Sequence, residues 1–310
     1  MQSHPATLLK VVTRTLREEC DLPKGASVVL GVSGGVDSMA LLHVLARLRD
    51  DFGFALTACG VDHGLRAEAS AELDVAGQFA RSLAVPFVVR RVNVAPGGNL
   101  HARARDARYA ELENVCVERG AAFIATAHHA DDRAETVLLR VLRGSHPTDL
   151  AVLPARDGAR LRPMIRARRS QVLAHARRHR IAFVEDPSNR DPRFLRTRIR
   201  HELLPLLEQL SQGVVGHLNA LADEMAAEPL PPVLDDNGQA LTLNRSQRDA
   251  LRRALRHQTG RARVLISGGR VLVVDRDTGH ARLVAPGLSE SSHGSGAKLR
   301  PSGSKRSKTR

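Results

Sequence analysis

The residues of this chain best suited to chemistry fall in two short strings. From Val28 to Leu42 the sequence reads VVLGVSGGVDSMALL: an apolar run, a small loop holding Ser33, Gly34, Gly35, Val36, Asp37 and Ser38, then an apolar pattern of helical spacing. From Thr126 to Glu135 it reads TAHHADDRAE, which gathers His128, Asp132 and Glu135 at the start of a second helical pattern. Two chemistries compete for the first string. Read as GVSGG, it fits the G-x-S-x-G elbow that presents a serine nucleophile. Read as SGGVDS, it fits a loop that wraps a phosphate in backbone N–H donors. Glycine adds no Cβ to hold the anion off, and a helix N-terminus adds unpaired donors and the positive end of its dipole. The elbow requires an oxyanion loop earlier in the chain, and only one helical segment and a turn precede Ser33. It also leaves Asp37 and Ser38 idle, so the phosphate reading is preferred. The loop lacks both the Gly-Lys-Ser/Thr ending of a Walker loop and the G-x-G-x-x-G of a dinucleotide fold. A phosphate has no need of an acid. Asp37 is therefore either a Mg²⁺ ligand or the cap of the following helix.

The second string offers a different chemistry. On a helix, His128 and Asp132 stand one turn apart, and so do Asp132 and Glu135. The spacing matches no common zinc pattern. A concentration of carboxylates suits a cationic substrate better, such as an amino acid with two amines. A helix dipole would account for Asp131 and Asp132, but not for the paired histidines.

Strands and helices must alternate to present these strings. The spacing predicts a helix over Ala6–Cys20, then strands at Ser27–Val32, Phe54–Val61, Phe87–Val92 and Ala122–Thr126. Helices are expected between and after them, at Asp37–Arg49, Ser70–Leu83, Ala102–Arg119 and Asp131–Arg143. The expected fold class is α/β: a Rossmann-like, mostly parallel sheet with helices on both faces. Ligands of such sheets bind beyond the carboxyl ends of the strands, where Ser33–Ser38, Asp62-His63 and Ala127–Asp132 all fall. After about residue 153 the texture becomes basic, with helical patterns at Arg169–His179 and Arg196–Gln209. A Pro/Asp/Gly-rich linker at Pro229–Gly238 leads to short segments at 240–243, 245–257, 263–266, 270–275 and 281–284. The expected division is an N-terminal domain over 1–212, whose part from about 153 is a basic helical linker region. A small α+β domain over 213–288 and a disordered basic tail over 289–310 follow.

Charge points to an anionic partner. The 310 residues carry 47 Lys and Arg against 33 Asp and Glu, a formal net charge of +14. The excess is local. Arg160–Arg200 holds thirteen arginines and three acids, and Ser289–Arg310 adds a net +5. A basic stripe of this kind favours nucleic acid. Aromatic residues are only 3% of the chain, so stacking platforms for bases are not expected. The three cysteines, Cys20, Cys59 and Cys116, form no C-x-x-C, which disfavours a disulfide framework, a zinc ribbon or an iron–sulfur site. With no leader-like start and no apolar run of membrane length, a cytoplasmic protein with no membrane partner is expected.

The string SGGVDS resembles the pyrophosphate loop of the N-type ATP pyrophosphatases, which cleave ATP to AMP and pyrophosphate while adenylating a substrate. Four further strings narrow the resemblance to the tRNA(Ile)-lysidine synthetases: VDHGLRAEAS (Val61–Ser70), ARDARYAELE (Ala104–Glu113), TAHHADDRAETVLLRVLRG (Thr126–Gly144) and the arginine-rich stretch from Arg162 to Leu207. The resemblance implies a ligase that joins lysine to C2 of the wobble cytidine of tRNA(Ile) with a CAU anticodon, through an adenylated tRNA. ATP and Mg²⁺ are then required. The implied partners are that tRNA, free L-lysine and, in a homodimer, a second copy of the chain. Ser33, Gly34, Gly35, Val36, Asp37, Ser38, His63 and Arg108 would hold ATP, with Asp37 on the metal. Asp132 and Glu135 would hold lysine, and Asp37, His128, Asp132 and Glu135 would carry the chemistry. Arg162, Arg166, Arg196, Arg198 and Arg200 would contact tRNA. The chain departs from the family pattern in three places: HPTDLAVLPA (His146–Ala155) replaces a Gly-rich turn, Thr197 stands where Asn is common, and Phe183 stands where Trp is frequent. The alternatives are a thiolase of the same superfamily and a basic nucleic-acid-binding protein without catalysis.

Overall fold

Strand β1 (Ser27–Val32) runs through the interior of a six-stranded sheet, with Val28, Val29, Leu30 and Val32 all buried. Its apolar run is continuous because both faces are covered. Val28, Leu30 and Val32 join the larger core cluster, and Val29 joins a second one with Tyr109, Leu112 and Ile124. The computed structural model describes residues 6–64, 69–93, 97–98, 100–184 and 191–227, then 233–234, 243, 247–248, 250–252, 261–265, 271–275 and 281–284.

The N-terminal unit covers residues 1–227. Helix α1 (Leu8–Glu18) opens on Thr7, whose side chain accepts from the Lys10 N–H, and it buries Leu8, Val12 and Leu16. After β1, helix α2 (Val36–Phe52) closes on Gly53 in the left-handed region at φ 65°, with the Gly53 N–H donating to the Arg49 and Asp50 carbonyls. There follow β2 (Ala55–Asp62), α3 (Ala69–Ser82), β3 (Phe87–Arg91), α4 (Leu100–Arg119), β4 (Phe123–Ala125) and α5 (Ala130–Leu142). Two two-residue strands, β5 (Arg156–Asp157) and β6 (Arg160–Leu161), precede α6 (Arg169–Arg178). The sheet order is β3-β2-β1-β4-β6-β5, parallel except for the last pair. Chain connection therefore reverses between β1 and β4. The switch point, where ligands of such sheets bind, lies beyond the carboxyl ends of these two strands, and both chemical strings fall there.

The α/β layer matches the expected fold class. Three features differ from the sequence-based expectation. The β5–β6 hairpin extends the sheet, although strands of two residues leave no alternation to read. The helix expected over Arg196–Gln209 is broken into α7 (Leu195–Arg198), a π-helical turn (Ile199–Leu203) and α8 (Leu204–Leu210). Helix α9 (Val214–Ala226) was not expected, and it lies against α5: Val215 packs with Ala130 and Ala134, and Ala222 with Val137. The Asn219 amide donates to the Ala130 carbonyl at 2.8 Å. The first compact unit thus runs through α9 to residue 227 rather than ending at 212.

In the second unit, β7 (Val233–Leu234), β8 (Arg261–Leu265), β9 (Val271–Asp275) and β10 (Ala281–Val284) form a sheet in the order β7-β10-β9-β8. Residues 247–248 and 250–252 are helical. The tail expected over 289–310 and most of the linker expected at 229–238 lie outside the described residues. Among the described residues, no helix is long and apolar enough to cross a membrane.

Candidate active site

Between β1 and α2 the loop is shaped by one glycine and two hydroxyls. Gly34 sits at φ +81°, and a Cβ there would lie 3.0 Å from the Glu72 carbonyl oxygen. Its own carbonyl accepts from the Val184 N–H at 3.0 Å. Ser38, nearly fully buried, donates through Oγ to the Gly35 carbonyl at 2.9 Å and accepts from the Ser33 N–H at 3.2 Å. The Ser33 hydroxyl lies 3.4 Å from that of Ser38, rather than against an imidazole that would activate it. The arrangement fits a phosphate cradle better than a nucleophile elbow. Gly34→Ala is expected to cost about 1–2 kcal/mol for the left-handed conformation alone, before the contact with Glu72 is relieved. A thermal melt beside an ATP-binding titration checks it: both Tm and affinity should fall, and wild-type values for both would contradict this account of the loop.

Gly35 is the N-cap of α2 and makes no side-chain cap bond. The cap alternative for Asp37 therefore fails: Asp37 lies inside the first turn, and the first N–H groups of α2 stay available to an anion. The Asp37 carboxylate is flanked by Arg169 Nη1 at 3.4 Å and by His129 Nε2 at 3.7 Å. Asp37 Oδ1 and His129 Nε2 are both buried without a hydrogen-bond partner. Burial pushes the Asp37 carboxyl above the usual carboxylate range, against the pull of His129 and Arg169.

His129 joins this loop to the second string. It is fully buried and caps α5. Its Nδ1 accepts from the Asp132 N–H at 3.2 Å, while Asp132 Oδ2 accepts from the His129 N–H at 3.0 Å. This is a capping box in which imidazole replaces the usual hydroxyl. The helical turn expected between His128 and Asp132 is corrected accordingly: His128 precedes the helix, and His129 is the residue that meets Asp132. Asp132 and Glu135 do stand one turn apart on α5.

Both carboxylates are already paired. Glu135, 1% exposed, accepts from Arg196 Nε at 3.0 Å and from Arg200 Nε at 2.6 Å. Asp132 Oδ1 accepts from Arg200 Nη2 at 3.0 Å and lies 3.5 Å from Arg196 Nη2. Burial alone would raise the Asp132 pKa. The two histidines, Arg196 and the His129 N–H outweigh it and hold the pKa at about 2.

His63 directly follows β2, with Nδ1 buried and unpartnered. Burial and then the nearby Arg108 push its pKa below the usual histidine value. His128 hydrogen-bonds through Nδ1 to the Thr126 hydroxyl at 2.9 Å. Burial lowers its pKa from 6.5 to about 4, helped by Arg162, Arg105 and Arg108 and opposed by Asp132. The unfolded chain therefore binds more protons than the folded one between those values. The His128 contribution to stability is fully present above pH 6.5 and is lost as pH falls through 4. Urea midpoints measured from pH 7 to pH 4.5 should decline, with a shallower decline in His128→Gln; identical slopes would contradict a neutral His128.

The arginine block is less available than its sequence charge implies. Among the described residues, nine of its arginines pair with carboxylates, several of them supplied by distant elements. Arg162 is 4% exposed, and its Nη1 donates to the Pro154 carbonyl. Arg166 is paired as well. Both edges of its guanidinium are occupied by Glu19 and Asp223, and Asp223 also meets the buried Arg133. Arg198 forms a surface pair with Glu202, and Arg196 and Arg200 face the acids of α5. Sequence reasoning missed His129, Arg169 and Asp131. Asp131 accepts from the Arg169 backbone N–H at 2.8 Å and so fixes the start of α6. The HH and RR doublets were the available signal, since either member of each pair could face the site.

The PP-loop domain family matches residues 8–207. The tRNA(Ile)-lysidine synthase of Ralstonia nicotianae is 42% identical over 64% of this chain and 43% of its own length. That of Rhodopseudomonas palustris is 43% identical over 63% of this chain and 58% of its own length. The chain thus spans about half the length of these curated relatives. Among solved structures, a U34-tRNA thiolase from Methanococcus maripaludis aligns with a TM-score of 0.61 at 20% identity, covering 72% of this chain and 80% of the thiolase.

Proposed function

The chain belongs to the PP-loop domain family, and from that premise we propose that it joins lysine to the wobble cytidine of tRNA(Ile) with a CAU anticodon, at the expense of ATP. One observation carries this reading: the string Asp37–His129–Asp132, which links the phosphate loop to the acidic start of α5 through contacts of 3.7 and 3.4 Å. This link supports a reading in which ATP cleavage and cation binding are neighbours at the switch point of the sheet.

The chemistry runs in two steps. The C2 oxygen of the cytidine attacks the α-phosphate of ATP, the α–β bond breaks and pyrophosphate leaves. The neutral ε-amine of lysine then attacks C2, its proton passes to a base, and AMP leaves with the C2 oxygen. In the first step the open N–H groups of α2 and the hydroxyls of Ser33 and Ser38 hold the phosphates. Asp37 Oδ1, an anionic oxygen donor buried without a partner, fits a hard cation, and Mg²⁺ bound there would neutralise charge building on the phosphates. In the second step one carboxylate of the Asp132–Glu135 pair grips the α-amine of lysine and the other accepts the ε-proton. Arg196 and Arg200 occupy those carboxylates in the free protein, so lysine replaces one cation with another. The released arginines are then free to pair with tRNA phosphates. Self-association as a homodimer belongs to the same reading, and light scattering checks it.

Incubation with ATP labelled at the α-phosphate, Mg²⁺ and bulk tRNA, without lysine, tests the first step. Label should enter tRNA. ATP binding without such transfer would contradict the reading, and no ATP binding would favour a simple nucleic-acid-binding protein. The thiolase likeness rests on fold alone. The thiols of Cys20, Cys59 and Cys116 are buried, with pKa values pushed up to about 12, 12 and 11 mainly by that burial, so they offer little thiolate for sulfur transfer.

A further inference from the structure

Away from the loop and the acidic helix start, three histidines converge where α2 meets α6. His43 comes from α2; His175 and His179 lie one turn apart on α6 and its cap. One ring nitrogen of each lies within 4.8 Å of the others. His43 Nδ1 and His175 Nε2 are 2.9 Å apart, and the three ring centroids are 4.5–5.0 Å from one another. The Phe79 ring stacks on His43 at 6.3 Å. We propose that His43, His175 and His179 bind a divalent transition ion of the zinc class, which staples α2 to α6.

The donor chemistry selects that class. Three imidazole nitrogens suit Zn²⁺, Cu²⁺ or Ni²⁺ and not the oxygen-seeking Mg²⁺. Three protein ligands leave a fourth tetrahedral position for water or a small anion. With metal–nitrogen bonds of about 2.0–2.1 Å, tetrahedral ligands stand about 3.3–3.4 Å apart. The observed spacing brackets that value, so small ring rotations are enough to close the site. A hydrogen-bonded histidine pair would explain the 2.9 Å contact, but not a third imidazole drawn to the same point. Burial, with His179 and Arg47 nearby, lowers the pKa of His43 to about 4, and the same causes with His43 and Arg178 do so for His175, so these two rings are available as neutral ligands. The positive charge of Arg47 and Arg178 favours a bound ion whose fourth ligand is anionic.

The placement gives the staple a consequence. Helix α2 starts at the phosphate loop, and α6 starts at Arg168–Arg169, where Arg169 meets Asp37. Joining the helices would fix the spacing between Asp37 on α2 and Arg169 on α6. The inference stands independently of the proposed reaction.

The full chain, stripped of metal with a chelator, is titrated with Co²⁺ as the probe. The expected result is a saturable visible absorption of a four-coordinate ion at a single equivalent, quenched when Zn²⁺ displaces it, with a Tm raised by Zn²⁺. His179 is the least covered of the three, so His179→Ala should stay folded by circular dichroism. Its Co²⁺ affinity should fall at least about tenfold, and its Tm should not respond to Zn²⁺. Should that variant fail to fold, His179→Gln takes its place. No saturable absorption in the wild-type chain, or equal affinity in wild type and variant, would overturn the proposal.

Discussion

Replacing Asp37 with alanine is expected to slow ATP cleavage roughly 10²–10³-fold, the loss typical of removing one electrostatic stabiliser of a transition state. The chain should remain folded. Asp37 is not the helix cap, its ion pair with Arg169 is partly exposed, and His129 keeps its bonds to Asp132. The effect should fall on turnover more than on ATP affinity, because the cradle is built from backbone N–H groups and from Ser33 and Ser38. Pyrophosphate release measured with saturating tRNA checks this: a variant within about threefold of wild type would remove Asp37 from the phosphate chemistry.

Asp132→Asn is expected to separate the two steps. The amide still accepts from the His129 N–H, and the His129 ring still caps α5, so the helix start survives. Arg200 keeps Glu135. What goes is the negative charge that would grip or deprotonate lysine. Transfer of labelled AMP to tRNA should persist, whereas incorporation of lysine should fall at least about 10²-fold, the lower end of a positioned acid–base contribution. Wild-type lysine incorporation would sink the assignment. Loss of both steps together would place Asp132 in the architecture rather than in lysine capture. Glu135→Gln is a poorer probe: Glu135 is almost fully buried beneath two arginines, and removing one partner of a buried pair costs about 3–5 kcal/mol.

The alternating layer was legible because its signals are local. The apolar run of Ser27–Val32, the small residues after it and the helical spacing that follows each announce an element within a few residues. Strand order adds the switch point, and with it the neighbourhood of Ser33–Ser38, His63 and Thr126–Glu135. Which member of a doublet faces the site was not legible. His128 and His129 differ by one position, yet one hydrogen-bonds Thr126 while the other caps α5 and faces Asp37. That choice depends on where the helix begins, and helix starts are uncertain by a residue or two. The pairing of the arginine block was not legible for a related reason. Charge counted along the chain ignores acids brought in from elsewhere, and Glu19, Asp131, Asp132, Glu135 and Asp223 all come from outside Arg160–Arg200. Helix α9 escaped notice since the stretch VVGHLNALADEMA mixes small and apolar residues with little polar contrast.

The pairing of Arg196 and Arg200 with Asp132 and Glu135 gives the site a neutral resting state. Four charges are satisfied internally, which holds buried carboxylates without a bound substrate. On the proposed reading a substrate cation competes with two guanidinium groups, and a polyanion that draws the arginines away lowers that barrier. Lysine affinity is therefore expected to rise when tRNA is bound, in keeping with the reciprocity of linked binding.

The central claim is that one chain couples ATP cleavage at the α–β bond to transfer of lysine onto tRNA. The most direct measurement incubates the full chain with ATP, Mg²⁺, labelled lysine and tRNA(Ile) bearing a CAU anticodon. Label should enter the tRNA only when ATP is present, with one AMP and one pyrophosphate released for each lysine joined. ATP consumed without lysine entering a competent tRNA, or lysine entering without ATP, would contradict it.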